Sequence, residues 1–225
     1  MTKKDYIFVA GASRGVGKEI VKNLRQQNQK VKILLRSPDK RSELEAMGIK
    51  VLMGDALNLA EVEKALLAEE KITAIISTIG GKNKEGVRSD YLGNKNLIDG
   101  AIAAKINKFI LISSIGTRES AAALPTETLS TLNATLQEKA KAEEYLQKSG
   151  LTYTIIRPGS LKSQPATGNA ILTDNYKVAG MIHRADVARL VCDCLDSDRA
   201  NNKILSMVDR NKIYSQVEFA EFNLT

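Results

Sequence analysis

Tryptophan is absent from this 225-residue chain, histidine occurs once and cysteine twice. Cys192 and Cys194 stand two apart on an expected helix and so point to different sides, which suits neither a disulfide nor a metal site. One histidine and two such cysteines exclude an ordinary zinc centre, and a reducing, cytosol-like compartment (cytoplasmic) is the expectation. No apolar run approaches the ~20 residues that span a bilayer. The basic start, Met1-Thr2-Lys3-Lys4, precedes an apolar run that is too short for a signal peptide and reads as a first strand. Aromatics make up only 4%, and no basic run is interleaved with them. The net charge of +7 therefore reads as a solvated surface with a pocket for an anion, not as a nucleic-acid interface. Repeats, linkers and low-complexity segments are also missing.

What is present is a regular alternation. With 43% apolar and 26% charged residues, the composition suits one globular domain with a real core. Continuous Val/Ile/Leu-rich runs at 6–10, 31–35, 49–53, 74–78, 109–113, 152–156 and 203–207 read as strands buried on both faces. Helical patterns fill the gaps. Asn58-x-x-Glu61 forms a capping pair ahead of Val62, Leu66 and Leu67. Leu97, Ile98, Ala101 and Ile102 make an apolar stripe, and a helix through Ala140, Glu144 and Leu146 stops at Gly150. The expected fold is α/β, a single Rossmann-type domain over residues 1–225 with a doubly wound parallel sheet. Irregular stretches at 115–135 and 159–180 follow strand ends. In an open parallel sheet the ligand lies beyond those ends, which assigns both stretches to the substrate side.

The first strand runs into Gly11-Ala12-Ser13-Arg14-Gly15-Val16-Gly17, and Ile20, Val21 and Leu24 then open a helix. Strand, glycine turn and helix start together form the cradle for a dinucleotide pyrophosphate. Glycines bring the backbone close to the phosphates, and the helix start supplies N–H groups and positive potential. The second strand ends in Arg36, where an NAD site would carry a carboxylate for the ribose 2′-hydroxyl. A guanidinium there attracts a 2′-phosphate instead, and Arg14 joins it from the glycine loop, with Ser13 and Lys40 as weaker contributors. The expected cofactor is NADP(H). Gly54-Asp55-Ala56 at the third strand's end places Asp55 near the adenine amino group, with Ala56 beside it. Ser77-Thr78-Ile79-Gly80-Gly81 at the fourth gives a floor of small residues, with Thr78, Ile79 and Gly80 along the cofactor.

In the glycine loop, Leu34-Leu35-Arg36-Ser37, Gly54-Asp55, Tyr91-Leu92-Gly93-Asn94-Lys95-Asn96-Leu97-Ile98-Asp99, Ser113-Ser114, Lys139-Ala140-Lys141-Ala142-Glu143, Thr154-Ile155-Ile156-Arg157-Pro158-Gly159 and Ile182-His183-Arg184-Ala185-Asp186, the chain resembles the short-chain dehydrogenase/reductase superfamily. It is most similar to the atypical branch that includes NAD(P)H-binding proteins of chloroplasts and cyanobacteria and the biliverdin-IXβ/flavin reductases. Its glycine spacing departs from that branch and follows the standard reductases, where a basic residue at the Arg14 position accompanies NADP. The resemblance implies a Ser after the fifth strand and a Tyr four residues before a Lys. Lys139 takes the Lys position, but Thr135 stands where the Tyr belongs, and an aliphatic hydroxyl is a far poorer acid. Tyr91 and Lys95 fit the same spacing but precede the fifth strand, so Tyr91 is read as packing or pocket wall and Lys95 as surface.

A nicotinamide carries the hydride itself, so an acceptor needing little help with its proton can dispense with the tyrosine. The resemblance therefore implies reduction of a conjugated planar acceptor: a flavin, a quinone or a linear tetrapyrrole. Ser114 would orient substrate or relay a proton with Ser113 behind it. Lys139 would bind the nicotinamide ribose, and Pro158 and Gly159 would lie along the nicotinamide. Strand-end hydroxyls that merely satisfy backbone groups remain an equal reading of Ser113. The loop at 80–88, with Lys82, Lys84 and Arg88 against Glu85, either gathers an acidic acceptor or is a solvated loop. His183 is read as part of a structural turn, and Arg157 with Asp186 as an internal brace. The rival function is a catalytically silent NADPH sensor or scaffold whose partner is another protein. Isomerisation of a nucleotide sugar would lean on the absent tyrosine.

Overall fold

A computed structural model describes residues 5–67, 70–83 and 85–225. The basic start at residues 1–4 and Lys84 lie outside the described residues. Strands β1 (Tyr6–Ala10), β2 (Lys30–Leu35), β3 (Lys50–Met53), β4 (Ile72–Ser77), β5 (Lys108–Ile112), β6 (Thr152–Pro158) and β10 (Lys203–Asp209) occupy the expected runs. Between them lie helices α1 (Gly15–Gln26), α2 (Arg41–Ala46), α3 (Leu59–Leu66), α4 (Leu92–Ala103), α5 (Thr126–Lys148) and α6 (Arg184–Asp196). Two further short strands, β7 (Ser160–Lys162) and β8 (Ala170–Thr173), lie in the stretch read as irregular, and a third, β9 (Met181–His183), directly follows it.

The main sheet has eight strands in the order β3-β2-β1-β4-β5-β6-β10-β8. It is parallel except at one edge, where β8 runs antiparallel to β10. The doubly wound parallel sheet is thus present with one antiparallel strand added. Strands β7 and β9 pair as a separate parallel ribbon. Strands of three or four residues carry too little periodicity to stand out in a sequence.

Alternation along β1 explains the layering. Ile7 and Val9 point to one face, under Ile20, Val21 and Leu24 of α1 and Val187, Ala188 and Val191 of α6. Phe8 and Ala10 point to the other, under Val62 and Leu66 of α3, Leu97 and Ile98 of α4, and Leu146 of α5. Period two in the strands meets period 3.6 in the helices on both faces, as in a doubly wound sheet. Cys192 and Cys194 are both buried in α6, and burial pushes each thiol up to about 12, so neither is a ready nucleophile. Lys32 is the exception within β2. Its buried side chain lies over the Tyr6 ring and ends 2.6 Å from Glu70.

Helix α5 corrects the reading of 115–135 as irregular. It begins at Thr126, directly after Pro125, and so takes in half of that stretch. Thr126, Thr128, Ser130, Thr131, Asn133 and Thr135 are poor helix formers, which hid it. The packed half of α5, with Leu136, Ala142 and Leu146 buried, carries the turns before it. At the other end Gly150 takes φ +80, ending the helix as expected.

Candidate functional site

The glycine turn closes on itself tightly. Gly11 has φ +86, and a Cβ placed on it would lie 2.5 Å from Thr78 Oγ1. A Cβ on Gly17 would lie 2.3 Å from the Gly11 carbonyl oxygen. Thr78 Oγ1 donates to the carbonyls of Ala10 and Gly11, at 3.1 Å each, and pins the end of β4 to the turn. Gly15 and Arg14 are exposed at the start of α1, while Val16 and Gly17 are buried beneath it and Ser13 is half-buried. No side chain caps α1 and no acidic residue sits in its first turn. The orphan N–H groups at its start thus stay available to an anion. A cradle that a Cβ would fill, opening on an uncapped helix, fits a dinucleotide pyrophosphate.

The sequence reading missed one cation here. Arg184, the first residue of α6, brings its Nε within 3.8 Å of a Cβ placed on Gly15. Its Nη1 also donates to Ser163 Oγ at 2.8 Å, tying the glycine turn to the chain after β7. Its only signal in the sequence is its place in the segment Ile182-His183-Arg184, which carries part of the family resemblance.

At the adenosine end, Arg36 is exposed just after β2, with Nη1 4.0 Å from Asp55 Oδ2. Asp55 turns its other oxygen to the Leu57 amide at 3.0 Å, and Ala56 is buried beside it. The structure therefore brings Arg36 and Asp55 together. Lys40 pairs with Glu43 at 3.1 Å.

At the opposite end, Lys139 projects from α5 toward Gly80. Its Nζ lies 3.5 Å from a Cβ placed on Gly80 and 3.6 Å from Asp90 Oδ1. Burial lowers the Lys139 pKa from its usual value, and the charges of Asp90 and Glu143 oppose that shift. Asp90 itself was missed, one residue ahead of the segment that starts at Tyr91. Ile79 borders the same floor, partly buried against the core. Thr135 sits half-buried on α5, one turn before Lys139.

The two serines part company. Ser113 is buried and donates to Glu143 Oε1. Ser114, half-buried, donates to the neighbouring Ile115 carbonyl at 2.8 Å and is the serine left nearer solvent. Glu143, wholly buried, also accepts from Thr117 Oγ1 at 2.8 Å and from Arg157 Nε at 3.1 Å and Nη2 at 2.7 Å. Arg157 further holds Glu119 at 2.5 Å. Burial works against the Arg157 charge, but the two carboxylates outweigh it and raise its pKa.

This corrects the expected Arg157–Asp186 brace. Asp186 instead accepts from the Thr167 and Gly168 amides, at 2.8 Å and 2.9 Å, and anchors the turn before β8. Arg157 lies on β6 and points toward α5, so the helix on that side supplies its partner. Pro158 ends β6. A Cβ on Gly159 would lie 2.2 Å from the Gly180 carbonyl oxygen, so the chain can pass there only as glycine.

His183 stands at the start of α6, where Nδ1 meets the Pro165 carbonyl at 2.6 Å and Nε2 meets Lys212 Nζ at 2.9 Å. Tyr91 packs edge-on against Tyr145 with ring centroids 6.3 Å apart. Lys95 is less a free surface group than expected, since it pairs with Asp99 at 2.6 Å. In the loop at 80–88, Arg88 turns inward to Asp90 at 3.3 Å, while Lys82 is exposed.

Residues 11–198 match the family described as NAD(P)H-binding. The chloroplastic protein TIC 62 of Arabidopsis thaliana is 32% identical over 232 residues, covering 92% of this chain and 36% of its own length. This chain thus spans about a third of that relative. Sanguinarine reductase of Eschscholzia californica is 25% identical over 92% of this chain and 89% of its own. The solved structure of ChuY, an anaerobilin reductase from Escherichia coli O157:H7, superposes with a TM-score of 0.84 at 30% identity, covering 96% of this chain and 100% of ChuY. No helix among the described residues is long and apolar enough to cross a membrane. With its glycine turn set in a Rossmann-type sheet and its match running from that turn through α6, the chain belongs to the NAD(P)H-binding family, in the atypical short-chain dehydrogenase/reductase branch.

Proposed function

We propose that this protein is an NADPH-dependent reductase of a conjugated, planar acceptor such as a flavin, a quinone or a linear tetrapyrrole. One observation carries the reading: Lys139 reaches Gly80 at the expected nicotinamide end, while Thr135 occupies the place of the proton-donating tyrosine. Bound NADPH supplies the hydride. The chain's own residues do the rest. The amides of Gly15, Val16 and Gly17 hold the pyrophosphate, and Thr78, Ile79 and Gly80 form the floor beneath the cofactor. Lys139 Nζ donates to the nicotinamide ribose, and Pro158 and Gly159 wall the nicotinamide. Ser114 Oγ holds a proton at the acceptor's edge, and Ser113 stays behind in the buried network. A conjugated acceptor spreads the incoming charge over its ring system and takes its proton from solvent or from so weak a relay, so the missing phenol is no obstacle. ChuY's description as an anaerobilin reductase supports the same acceptor class, because a bilin is an open conjugated chain of pyrroles. Two unpaired, buried cysteines suit a reducing, cytosol-like compartment.

The test is steady oxidation of NADPH by the purified protein with FMN, quinones and biliverdin. Turnover of at least one supports the reductase. Tight NADPH binding without turnover across that panel overturns it in favour of a sensor or scaffold, which the missing tyrosine also permits.

Arg36 decides between the two nucleotides. A 2′-phosphate gains a charge-assisted bond from Arg36 worth about 1.5–3 kcal/mol. Arg36→Ala should therefore weaken NADPH binding roughly 10–100-fold and leave NADH within about twofold. Titration calorimetry with both nucleotides checks this, and equal losses for the two would refute the assignment.

A further inference from the structure

We infer that Asp90 is the positioning residue for Lys139, holding its ammonium charged and aimed across Gly80. This rests on the reading of Lys139 as the lysine of the nicotinamide ribose.

Asp90 is 1% exposed, and its two oxygens have different fates. Oδ2 accepts from the Gly81 amide at 2.8 Å and from Arg88 at 3.3 Å. Oδ1 is buried without a hydrogen-bond partner, although a carboxylate oxygen in such a place is expensive to leave bare. Lys139 Nζ lies 3.6 Å from this oxygen. The approach is possible only because residue 80 is glycine: a Cβ there would lie 2.6 Å from Asp90 Oδ1 and 3.5 Å from Lys139 Nζ.

The charged groups around Lys139 leave Asp90 as its counter-ion. From its own helix, Glu143 is already committed to Ser113, Thr117 and Arg157. From β6, Arg157 offsets Glu143. From the loop before α4, Arg88 opposes the ammonium, and Asp90 alone offers it an unshared oxygen. Burial favours the neutral amine, and Asp90 holds the proton on. Neutral lysine would lose a donor and the attraction toward an anionic cofactor.

The experiment follows the Lys139 side chain directly. Protein carrying 13C-labelled lysine is titrated without nucleotide or acceptor, and the Lys139 Cε signal is assigned by its loss in Lys139→Met. In Asp90→Asn the midpoint should fall by about one pH unit or more, a tenfold shift in proton affinity. NADPH binding should then weaken about tenfold at alkaline pH and stay within about twofold of wild type at mildly acidic pH. A residue that is merely structural would lower affinity equally at every pH. Coincident midpoints in Asp90→Asn and wild type overturn the inference. Should Asp90→Asn not fold, the uncompensated ammonium is the reason, and Asp90→Asn/Lys139→Met must fold; a double variant no more stable than the single one also overturns it. A wild type inert to every acceptor would sink the reductase and leave this pair standing, whereas coincident midpoints would do the reverse.

Discussion

Glu143→Ala is expected to destabilise the protein by about 3–5 kcal/mol, lowering Tm by roughly 6–20 °C. Glu143 and Arg157 are both fully buried, 0% and 1% exposed, and are joined by two hydrogen bonds. Removing the carboxylate leaves a guanidinium inside the protein and strips Ser113 of its acceptor, while Thr117 keeps the Ser114 carbonyl at 2.9 Å. Glu119 remains on Arg157 but is itself 45% exposed at the side chain, so it offsets only part of the loss and holds the cost near the lower end. Glu143→Gln keeps the shape and one acceptor and should cost about half as much. Glu143→Met with Arg157→Met should recover most of the stability, because an apolar pair carries no desolvation penalty. Urea unfolding followed by far-ultraviolet circular dichroism measures all three, in a chain without tryptophan to report by fluorescence. A loss under about 1 kcal/mol for Glu143→Ala would show that the pair is not what holds α5 to β6.

Gly17→Ala should cost both fold and cofactor. Its Cβ would meet the Gly11 carbonyl oxygen at 2.3 Å and Thr78 Oγ1 at 2.6 Å. The first of these is backbone and cannot swing aside, so the start of α1 must move away from the turn. Overpacking of this kind costs about 1–3 kcal/mol. Displaced amide donors at a phosphate cost a further 1.5–3 kcal/mol of binding, roughly 10–100-fold in affinity. Gly15→Ala is the informative contrast. Its φ of +59 brings a backbone penalty of about 1–2 kcal/mol, but the nearest atom to a Cβ is Arg184 Nε at 3.8 Å. It should therefore weaken the dinucleotide mainly by blocking its approach, with a smaller loss of Tm. Thermal melts with and without NADPH separate the two effects. Equal melting temperatures for Gly17→Ala and wild type would show that the turn tolerates the extra carbon.

Much of this protein is legible along the chain. The strand runs, the capping pair at Asn58 and the stop at Gly150 are local patterns, and each element forms where its pattern lies. The glycine turn is legible for the same reason: its geometry is written in seven consecutive residues. Short β7, β8 and β9 escape because three or four residues carry no period, and the start of α5 escapes because its threonines and serines argue against the helix that its packed half imposes.

Side-chain partnership is a different matter. Glu143 and Asp186 both stand on helices after a strand, and nothing local says which one Arg157 will meet; the face of the sheet from which Arg157 leaves β6 makes the choice. Asp90 is an unremarked carboxylate in the chain and becomes a buried counter-ion only when α5 and the end of β4 close over it. Local patterns determine where backbone hydrogen bonds go because both ends of those bonds lie in periodic segments. Which charges share the dry interior is decided by packing between separate segments, 14 residues apart for Glu143 and Arg157 and 49 for Asp90 and Lys139, because burial and proximity exist only after the layers have assembled.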